Sequence, residues 1–382
     1  MARGPDGQGG GAGFSLADQL FNADSLGDLA REFSTLPGFD AERFHREALA
    51  GMATRTLLDR LEHIADCLEA QLAPDFPTMA DQLEAAMPPP LSPQQVDDDF
   101  GRFIHAPPGI LAVRHGLEEH RERALDLLFE ATKRFSMEFY IRPFLNRWPD
   151  ETLARLRLWA RDENYHVRRL VSEGTRPKLP WAKNITLDPQ VPLEFLARLH
   201  ADPTRYVTRS VANHLNDIWK IAPEAVYETL ADWQKRAAQD PKELAWLTRH
   251  ALRSAVKAGA PEALALLGYR ADSSLRLLSF ATAQKEVPRG APLVFEAALT
   301  ADCDLPVIVD YIIHFVKADG RTAPKTFKLK QAMISAGQPL RVSKTHKLKW
   351  DATTFRLYPG VHRVQMQVNG MVLGDLSVTL QG

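Results

Sequence analysis

Residues 162–169 read DENYHVRR, and the pattern returns at residues 202–209 as DPTRYVTR. A third, degenerate copy ends at Arg249, so that the closing arginines of the three copies, Arg169, Arg209 and Arg249, are each 40 residues apart. Repetition at this period is typical of HEAT-like helical repeats, in which an Asp caps the second helix of each unit. Such units stack into an α-solenoid.

Helical periodicity extends beyond these copies in both directions. Apolar residues recur at helical spacing from Leu16 to about Leu72, and again from about Arg114 to Leu278. We therefore predict a HEAT-like repeat domain over residues 15–284. Residues 1–14 are rich in glycine and lack the apolar region of a signal peptide, so we expect a disordered leader there.

The pattern changes near residue 285 from helical spacing to short alternating runs. We expect a linker over residues 285–292 and about seven strands over residues 293–382, one of them at Phe355–Leu357. Turn signals such as Asn369-Gly370 separate the runs. Short strands at this density predict an immunoglobulin-like β-sandwich, which makes the chain a multidomain α + β protein.

Charge is balanced overall but unevenly distributed. The chain has 47 Lys and Arg against 48 Asp and Glu, which excludes a uniformly basic protein. Residues 1–102 hold 7 basic and 18 acidic residues, whereas residues 153–183 hold 8 and 3, and residues 317–349 hold 9 and 1. The last two stretches are surfaces that could meet a polyanion. Two cysteines indicate a reducing cytosol, and no apolar stretch is long enough to span a membrane.

Candidate chemistry is confined to carboxylates and aromatic residues around the first repeat. The sequence has no Walker loop, no dinucleotide-binding glycine motif, no zinc-protease or serine-hydrolase motif and no paired Cys-x-x-Cys. Glu173 lies four residues after Arg169, so both share one helix face, which Gly174 ends. Glu138 lies among bulky apolar residues, and Asp217 follows in the next repeat.

Residues 172–177, SEGTRP, and residues 179–181, LPW, together with the repeats, resemble the AlkC family of alkylpurine DNA glycosylases, relatives of AlkD. The resemblance covers about residues 15–285. The β-domain resembles the immunoglobulin-like extension found in one branch of that family. The SEGTRP string is the specific part, because helical repeats alone fit many scaffolds.

The resemblance implies a DNA repair enzyme that hydrolyses the N-glycosidic bond of cationic alkylated bases, such as 3-methyladenine and 3-methylcytosine, in duplex DNA. Such enzymes use no metal or cofactor and do not flip the base into a pocket. A carboxylate can stabilise the oxocarbenium-like sugar and align a water. We therefore expect Glu173 to be catalytic, with Glu138 and Asp217 beside it.

The same resemblance implies a set of DNA contacts. We expect Trp181 to pack against the lesion nucleotide. Lysines of the stretch 317–349 would contact phosphates. The remaining predicted contacts complete the set: Arg169, Arg176, Arg209, Asn213, Lys344 and Lys347. We further expect a monomer in the bacterial cytoplasm, associated with the nucleoid, with alkylated double-stranded DNA as its partner and no membrane contact.

Each of these residues also has a structural interpretation. Glu173 could pair with Arg169 or Arg176 at the surface, and Asp217 with a nearby Arg or Lys. Glu138 could be a carboxyl tip that emerges from a buried helix. Trp181 could pack in a core, the repeated arginines could bond the Asp of a neighbouring repeat, and the basic stretch could be a solvated face. For the whole chain, the alternative is a non-catalytic HEAT-repeat scaffold that binds nucleic acid or protein partners.

Overall fold

The computed structural model describes residues 16–92, 101–350, 352 and 355–382, so the predicted leader at 1–14 lies outside the described residues. The chain divides into two compact units. The first comprises Met1–Ala222 and Ala238–Leu247, and the second comprises Pro223–Ala237 and Thr248–Gly382. Residues 223–237 and 248–266 therefore group with the strands, although the sequence assigned them to the repeat domain.

Helices dominate the described residues up to Leu266, and none of them combines the length and apolarity that a membrane span requires. The α-helices of the described residues are α1 Leu16–Leu20, α2 Ala23–Phe33, α3 Ala41–Ala50, α4 Leu57–Glu69, α5 Phe76–Ala85, α6 Pro107–Gly116, α7 Arg121–Thr132, α8 Ile141–Arg147, α9 Pro149–Trp159, α10 Tyr165–Gly174, α11 Leu193–Leu199, α12 Arg205–Ile218, α13 Pro223–Arg236, α14 Pro241–Ala251, α15 Arg253–Ala258 and α16 Pro261–Leu266.

The 40-residue repeat corresponds to α10, α12 and α14, which confirms the HEAT-like pattern. Helices α10 and α12 pack against each other, and both bury apolar residues that recur every three or four positions, such as Val167 and Val211. The prediction that an Asp caps the helix is wrong for the first two copies: Asn164 caps α10 with its side chain, and Thr204 precedes α12 without a side-chain cap bond. Asp202 instead accepts from the Thr204 N–H at 2.9 Å, which closes a turn before the helix.

The strands form two sheets in the second unit. They are β1 Arg276–Thr282, β2 Glu286–Val287, β3 Leu293–Thr300, β4 Leu305–Val316, β5 Thr322–Ile334, β6 Leu340–His346, β7 Gly360–Val368 and β8 Met371–Leu380. The orders are β1-β3-β6 and β2-β8-β7-β4-β5, with antiparallel pairing except between β2 and β8.

Inward-facing side chains from both sheets, among them Phe295, Tyr311 and Val364, share one hydrophobic core. This confirms the β-sandwich and the multidomain α + β class. The predicted strand at Phe355–Leu357 is absent, since these residues have no ladder partner and precede Pro359, which lacks an N–H donor. Conversely, β1 lies within the segment assigned to the helical domain, because an exposed edge strand has little alternation to distinguish it.

Candidate active site

Glu138 lies in the loop between α7 and α8, where Ser136 and Arg169 hold its carboxylate. Ser136 Oγ donates to Glu138 Oε2 at 2.8 Å, and the Arg169 guanidinium pairs with the same oxygen. Arg169 Nη1 also donates to Ser136 Oγ at 2.7 Å. The interpretation of Glu138 as a tip emerging from a helix is wrong, because α8 begins only at Ile141.

Glu173 lies near the end of α10, and its carboxylate is enclosed by donors. Ser210 Oγ donates to Glu173 Oε2 at 2.6 Å, and Arg176 pairs with Oε1. Arg169 Nη2 lies 3.6 Å from Oε2. Both predicted arginine partners are thus present, but the surface location is wrong, since Glu173 is only 4% exposed.

Glu138, Arg169 and Glu173 form a network of hydrogen bonds and ion pairs, and Arg176 extends this network from Glu173 to Asp217. Its Nε and Nη2 donate to Asp217 Oδ2 at 3.0 and 2.7 Å, and Lys220 Nζ donates to Oδ1 at 3.2 Å. The three predicted carboxylates therefore belong to one chain of alternating charge, in which Arg169 joins the two glutamates. Such pairing is what permits buried charges to persist in a folded protein.

The two glutamates differ in their ionisation. Burial raises the pKa of Glu138 above the usual range, because it outweighs the favourable charge of Arg169, and the nearby Glu173 adds to the rise. Burial acts in the same direction on Glu173, but Arg169, Arg176 and the Ser210 hydrogen bond overcome it and hold the pKa of Glu173 below the usual range. Neighbouring carboxyls with divergent pKa values are characteristic of sites that carry out chemistry.

Trp181 lies on the loop that leaves α10. Its backbone has a φ of 65°, in the left-handed region that a bulky residue rarely adopts, and 59% of its surface is exposed. Core packing is therefore excluded as its role. A large exposed aromatic ring held in a strained backbone conformation is available for contact with a ligand.

Arg142, on α8, holds the loop that follows α10 by hydrogen bonds to backbone carbonyls. The side chain is fully buried, and Nε donates to the Lys183 carbonyl at 2.6 Å while Nη1 donates to the Gly174 and Arg176 carbonyls at 3.1 and 2.7 Å. Burial lowers the pKa of Arg142 to about 10. A Cβ on Gly174 would lie 2.5 Å from Ile141 Cγ2, so the motif requires glycine where α10 meets α8.

The network and the loop border one cavity of about 700 Å³ in the first unit. Seven of the predicted site residues line it: Glu138, Glu173, Arg169, Arg176, Trp181, Arg209 and Asn213. Asp217 contacts Arg176 instead of lining the cavity. Burial lowers the pKa of the cavity-lining Arg209. Helices α10 and α12 and the loops before α8 and after α10 thus gather residues that are far apart in the chain.

Several cavity residues were not predicted. The rings of Phe103, Phe135, Phe139 and Tyr206 form apolar walls, and the Arg169 guanidinium lies 4.8 Å from the Tyr206 ring centroid. Phe135 and Phe139 flank Glu138 in the sequence, which is the signal that could have found them. A cationic group would be favoured between such rings and ionised carboxylates.

The expected bond between an arginine of one repeat and the Asp of the next is present, but Arg168 makes it instead of Arg169. Arg168 Nε and Nη2 donate to the two Asp202 carboxylate oxygens at 2.5 and 3.1 Å. Arg169 points to Glu138 and Glu173 instead. The structural interpretation therefore applies to Arg168, and Arg169 belongs to the cavity.

Lys344 and Lys347 lie in the second unit, where they do not share one environment. Lys344 is half-buried within β6 opposite Phe295, whereas Lys347 follows the end of β6 and is exposed. Burial, aided by Lys344 and Lys325, lowers the pKa of His346 to about 4. Lys325 and Lys344 are therefore close to the same imidazole, one from β5 and one from β6.

The donor set of the cavity suits anion–cation pairing better than metal ligation. Glu138 Oε2, Glu173 Oε1 and Asp217 Oδ2 each accept from a guanidinium, so each of the three carboxylates is already paired with a cation of the protein. In the described part of the chain, no three His, Cys, Asp or Glu side chains converge as metal ligands.

Comparisons with known proteins agree with this architecture. A family model described as the C-terminal Ig-like domain of the uncharacterised protein YhaZ matches residues 276–382. The uncharacterised protein YhaZ of Bacillus subtilis (strain 168) is 35% identical over 260 residues, which cover 67% of this chain and 71% of that protein.

The solved structure of Pseudomonas fluorescens alkylpurine DNA glycosylase AlkC, bound to DNA containing an abasic site analog, is similar over almost the whole length. It has a TM-score of 0.85 at 32% identity and covers 97% of this chain and 100% of that one. The chain therefore belongs to the AlkC family of alkylpurine DNA glycosylases, in the branch with a C-terminal immunoglobulin-like domain.

Proposed function

We propose that this protein is a DNA glycosylase that hydrolyses the N-glycosidic bond of cationic alkylated bases, including 3-methyladenine and 3-methylcytosine, in duplex DNA. The observation that carries the proposal is the cavity in which Arg169 joins the buried Glu173 to the half-buried Glu138, two glutamates of divergent pKa. The similarity to a glycosylase that was solved bound to DNA supports it.

The chemistry follows from the charge of the substrate. A base alkylated on a ring nitrogen is already cationic and leaves as a neutral molecule, so no general acid is needed. As the bond breaks, positive charge develops on the sugar, and a fixed carboxylate stabilises it. Glu173 suits this role, because its low pKa keeps it ionised at neutral pH. The same carboxylate aligns the water that attacks the sugar.

The remaining network residues support Glu173. Arg169 and Arg176 direct their guanidinium groups to carboxylates, so their proposed role is to hold Glu173 in place beside the DNA. Glu138 and Asp217 hold those arginines in turn. The base stays in the duplex, and the carboxylate of Glu173 faces its sugar.

DNA is held by a second group of residues. Trp181 packs against the lesion nucleotide, and Arg209 and Asn213 contact its flanking backbone. Lys344 and Lys347 of the immunoglobulin-like domain contact phosphates, which supplies affinity without sequence preference.

The direct test is release of bases from methylated DNA. Duplex DNA treated with a methylating agent is incubated with the protein in the presence of a metal chelator, and the released bases are separated by chromatography. We expect 3-methyladenine and 3-methylcytosine to appear and normal bases to stay in the polymer. Binding of the DNA without release of any base would favour the non-catalytic scaffold.

A further inference from the structure

The Glu173 carboxylate receives one hydrogen bond from an uncharged side chain, and that donor lies on the next repeat. Ser210, on α12, is 2% exposed, and its Oγ lies 2.6 Å from Glu173 Oε2. The same Oγ lies 2.9 Å from Ser172 Oγ on α10, and Ser172 is fully buried. Two buried hydroxyls therefore meet at the α10–α12 contact, directly beside the carboxylate.

The direction of the hydrogen bonds among Ser172, Ser210 and Glu173 follows from which groups carry a proton. An ionised carboxylate can only accept, so the single proton of the Ser210 hydroxyl goes to Glu173. The hydrogen bond between the two serines is then donated by Ser172. The order is Ser172 to Ser210 to Glu173, and each bond polarises the next.

The repeat shows that a hydroxyl is not needed at this position for packing. Forty residues before Ser210, the corresponding position on α10 is Leu170, a fully buried apolar residue. A buried hydroxyl at a helix contact is destabilising unless it is bonded. Its bond here goes to the carboxylate that faces the cavity.

We propose that Ser210 is a positioning residue for excision, which orients the Glu173 carboxylate toward the cavity and keeps it ionised through the relay from Ser172. This inference rests on the proposed glycosylase activity. Ser210 acts through Glu173 Oε2, because Arg176 occupies Oε1 and Arg169 Nη2 is 3.6 Å from Oε2. Of these two contacts to Oε2, the longer one to Arg169 is the one that remains without the hydroxyl.

Other charged and titratable groups around Glu173 stay in place when Ser210 is changed. They come from the loop before α8, from α8, α10 and α12 and from the loop after α10, and they are Glu138, Arg142, Arg169, Tyr206, His214 and Arg176. Glu138 and Glu173 share Arg169, so they titrate as a coupled pair. Their protonation lowers the excision rate at low pH, and this fall is the acid limb of the pH profile. Loss of a hydrogen-bond donor to the ionised carboxylate raises the pKa of that carboxylate and therefore moves the acid limb to higher pH.

The experiment is a pH profile of single-turnover excision with a 3-methylcytosine duplex at saturating protein, corrected for uncatalysed loss. For Ser210→Ala we expect the midpoint of the acid limb to rise by about one pH unit, as for one lost hydrogen bond to a charged group. The rate at neutral pH should fall about tenfold, because the carboxylate is less well oriented. Affinity for the duplex should stay within about twofold, since phosphate contacts are unchanged.

Two further variants separate positioning from general loss of packing. Ser172→Ala removes the donor to Ser210, and we expect a smaller upward shift of the same limb. Thr208→Val removes another buried hydroxyl of α12, whose bond goes to the Arg205 carbonyl, and we expect no shift. Thermal melting of all three proteins is compared with that of the wild type.

The outcomes distinguish this inference from the proposed function. If the wild-type protein releases no base, the glycosylase proposal fails. If the wild type is active and Ser210→Ala has an unchanged pH profile and rate, or Thr208→Val shifts the limb equally, Ser210 is not a positioning residue and the glycosylase proposal stands.

Discussion

Charged side chains are arranged in two different ways in the α10–α12 region and in the basic stretch of residues 317–349. In the α10–α12 region, acids and arginines are largely shielded from solvent and each carboxylate has a fixed partner. On β5 and after β6, lysines such as Lys328 and Lys347 are exposed to solvent. The first arrangement fixes atoms in space and suits chemistry, whereas the second gives a screened, long-range attraction and suits binding.

This contrast predicts that substitutions in the first unit change stability or rate, and that substitutions in the basic stretch change salt-dependent affinity. We expect the largest effects where buried polar groups would be left without partners, and the smallest where lysines of the basic stretch are changed.

The largest effect on stability is expected at Arg142. Arg142→Met would leave the carbonyls of Gly174, Arg176 and Lys183 without their buried donor, at a cost of about 3 kcal/mol or more in the free energy of unfolding. Chemical denaturation monitored by circular dichroism measures this change. The control is Arg147→Met on the same helix, whose half-exposed ion pair with Glu118 should contribute less than about 1 kcal/mol. Equal effects of the two substitutions would show that Arg142 does not hold the loop.

Trp181→Ala should weaken binding of lesion DNA about tenfold, at the low end of the ~1–3 kcal/mol that stacking of one base contributes. Stability should change little, since the side chain is mostly exposed. Fluorescence anisotropy with lesion and undamaged duplexes measures both affinities. A large loss of thermal stability with unchanged affinity would contradict a contact role for Trp181.

The pH dependence of excision should change when Glu138 is neutralised. Because the pKa of Glu138 is raised and that of Glu173 is lowered, Glu138→Gln leaves the more acidic group as the titrating one. The acid limb of the rate should therefore move to lower pH, opposite in direction to the shift expected for Ser210→Ala. A limb that stays in place would show that Glu138 does not contribute to it.

The smallest effect is expected in the basic stretch, at the half-buried Lys344 and the exposed Lys347. Charge reversal of Lys344 and Lys347 should weaken binding to lesion and undamaged duplexes equally. The slope of log affinity against log salt concentration should become shallower by about one for each phosphate that is no longer neutralised. Titrations at several salt concentrations measure this slope. Lys235→Glu, an exposed lysine of α13 in the same unit, is the matched control. An unchanged slope would identify the two lysines as a solvated face.

The fold was predictable where its signal is local. The repeat at residues 162–169 and 202–209 places α10 and α12, because register, spacing and residue type agree over 40 residues. The edge strand β1 was missed, since its leucines fit helical spacing as well as an exposed strand. The presence and limits of such an edge strand depend on its pairing with a neighbouring strand, which a single sequence does not show.

The candidate site was predictable only in part. Glu173 and Arg169 share a helix face by spacing alone, so their proximity was accessible. Glu138 meets them through packing of a loop against α10, and Arg142 looks like an ordinary exposed residue in sequence. Ser210 is a single serine in a helical pattern, and only comparison with Leu170 of the preceding repeat distinguishes it.

The most direct test of the central claim is single-turnover excision by Glu173→Gln at saturating protein. The substitution keeps the size of the side chain and removes its charge, so binding should persist while the rate falls at least ~100-fold, the magnitude for one preorganised electrostatic group. A Glu173→Gln protein that binds the duplex and releases 3-methyladenine at the wild-type rate would contradict the claim that this buried carboxylate carries the chemistry.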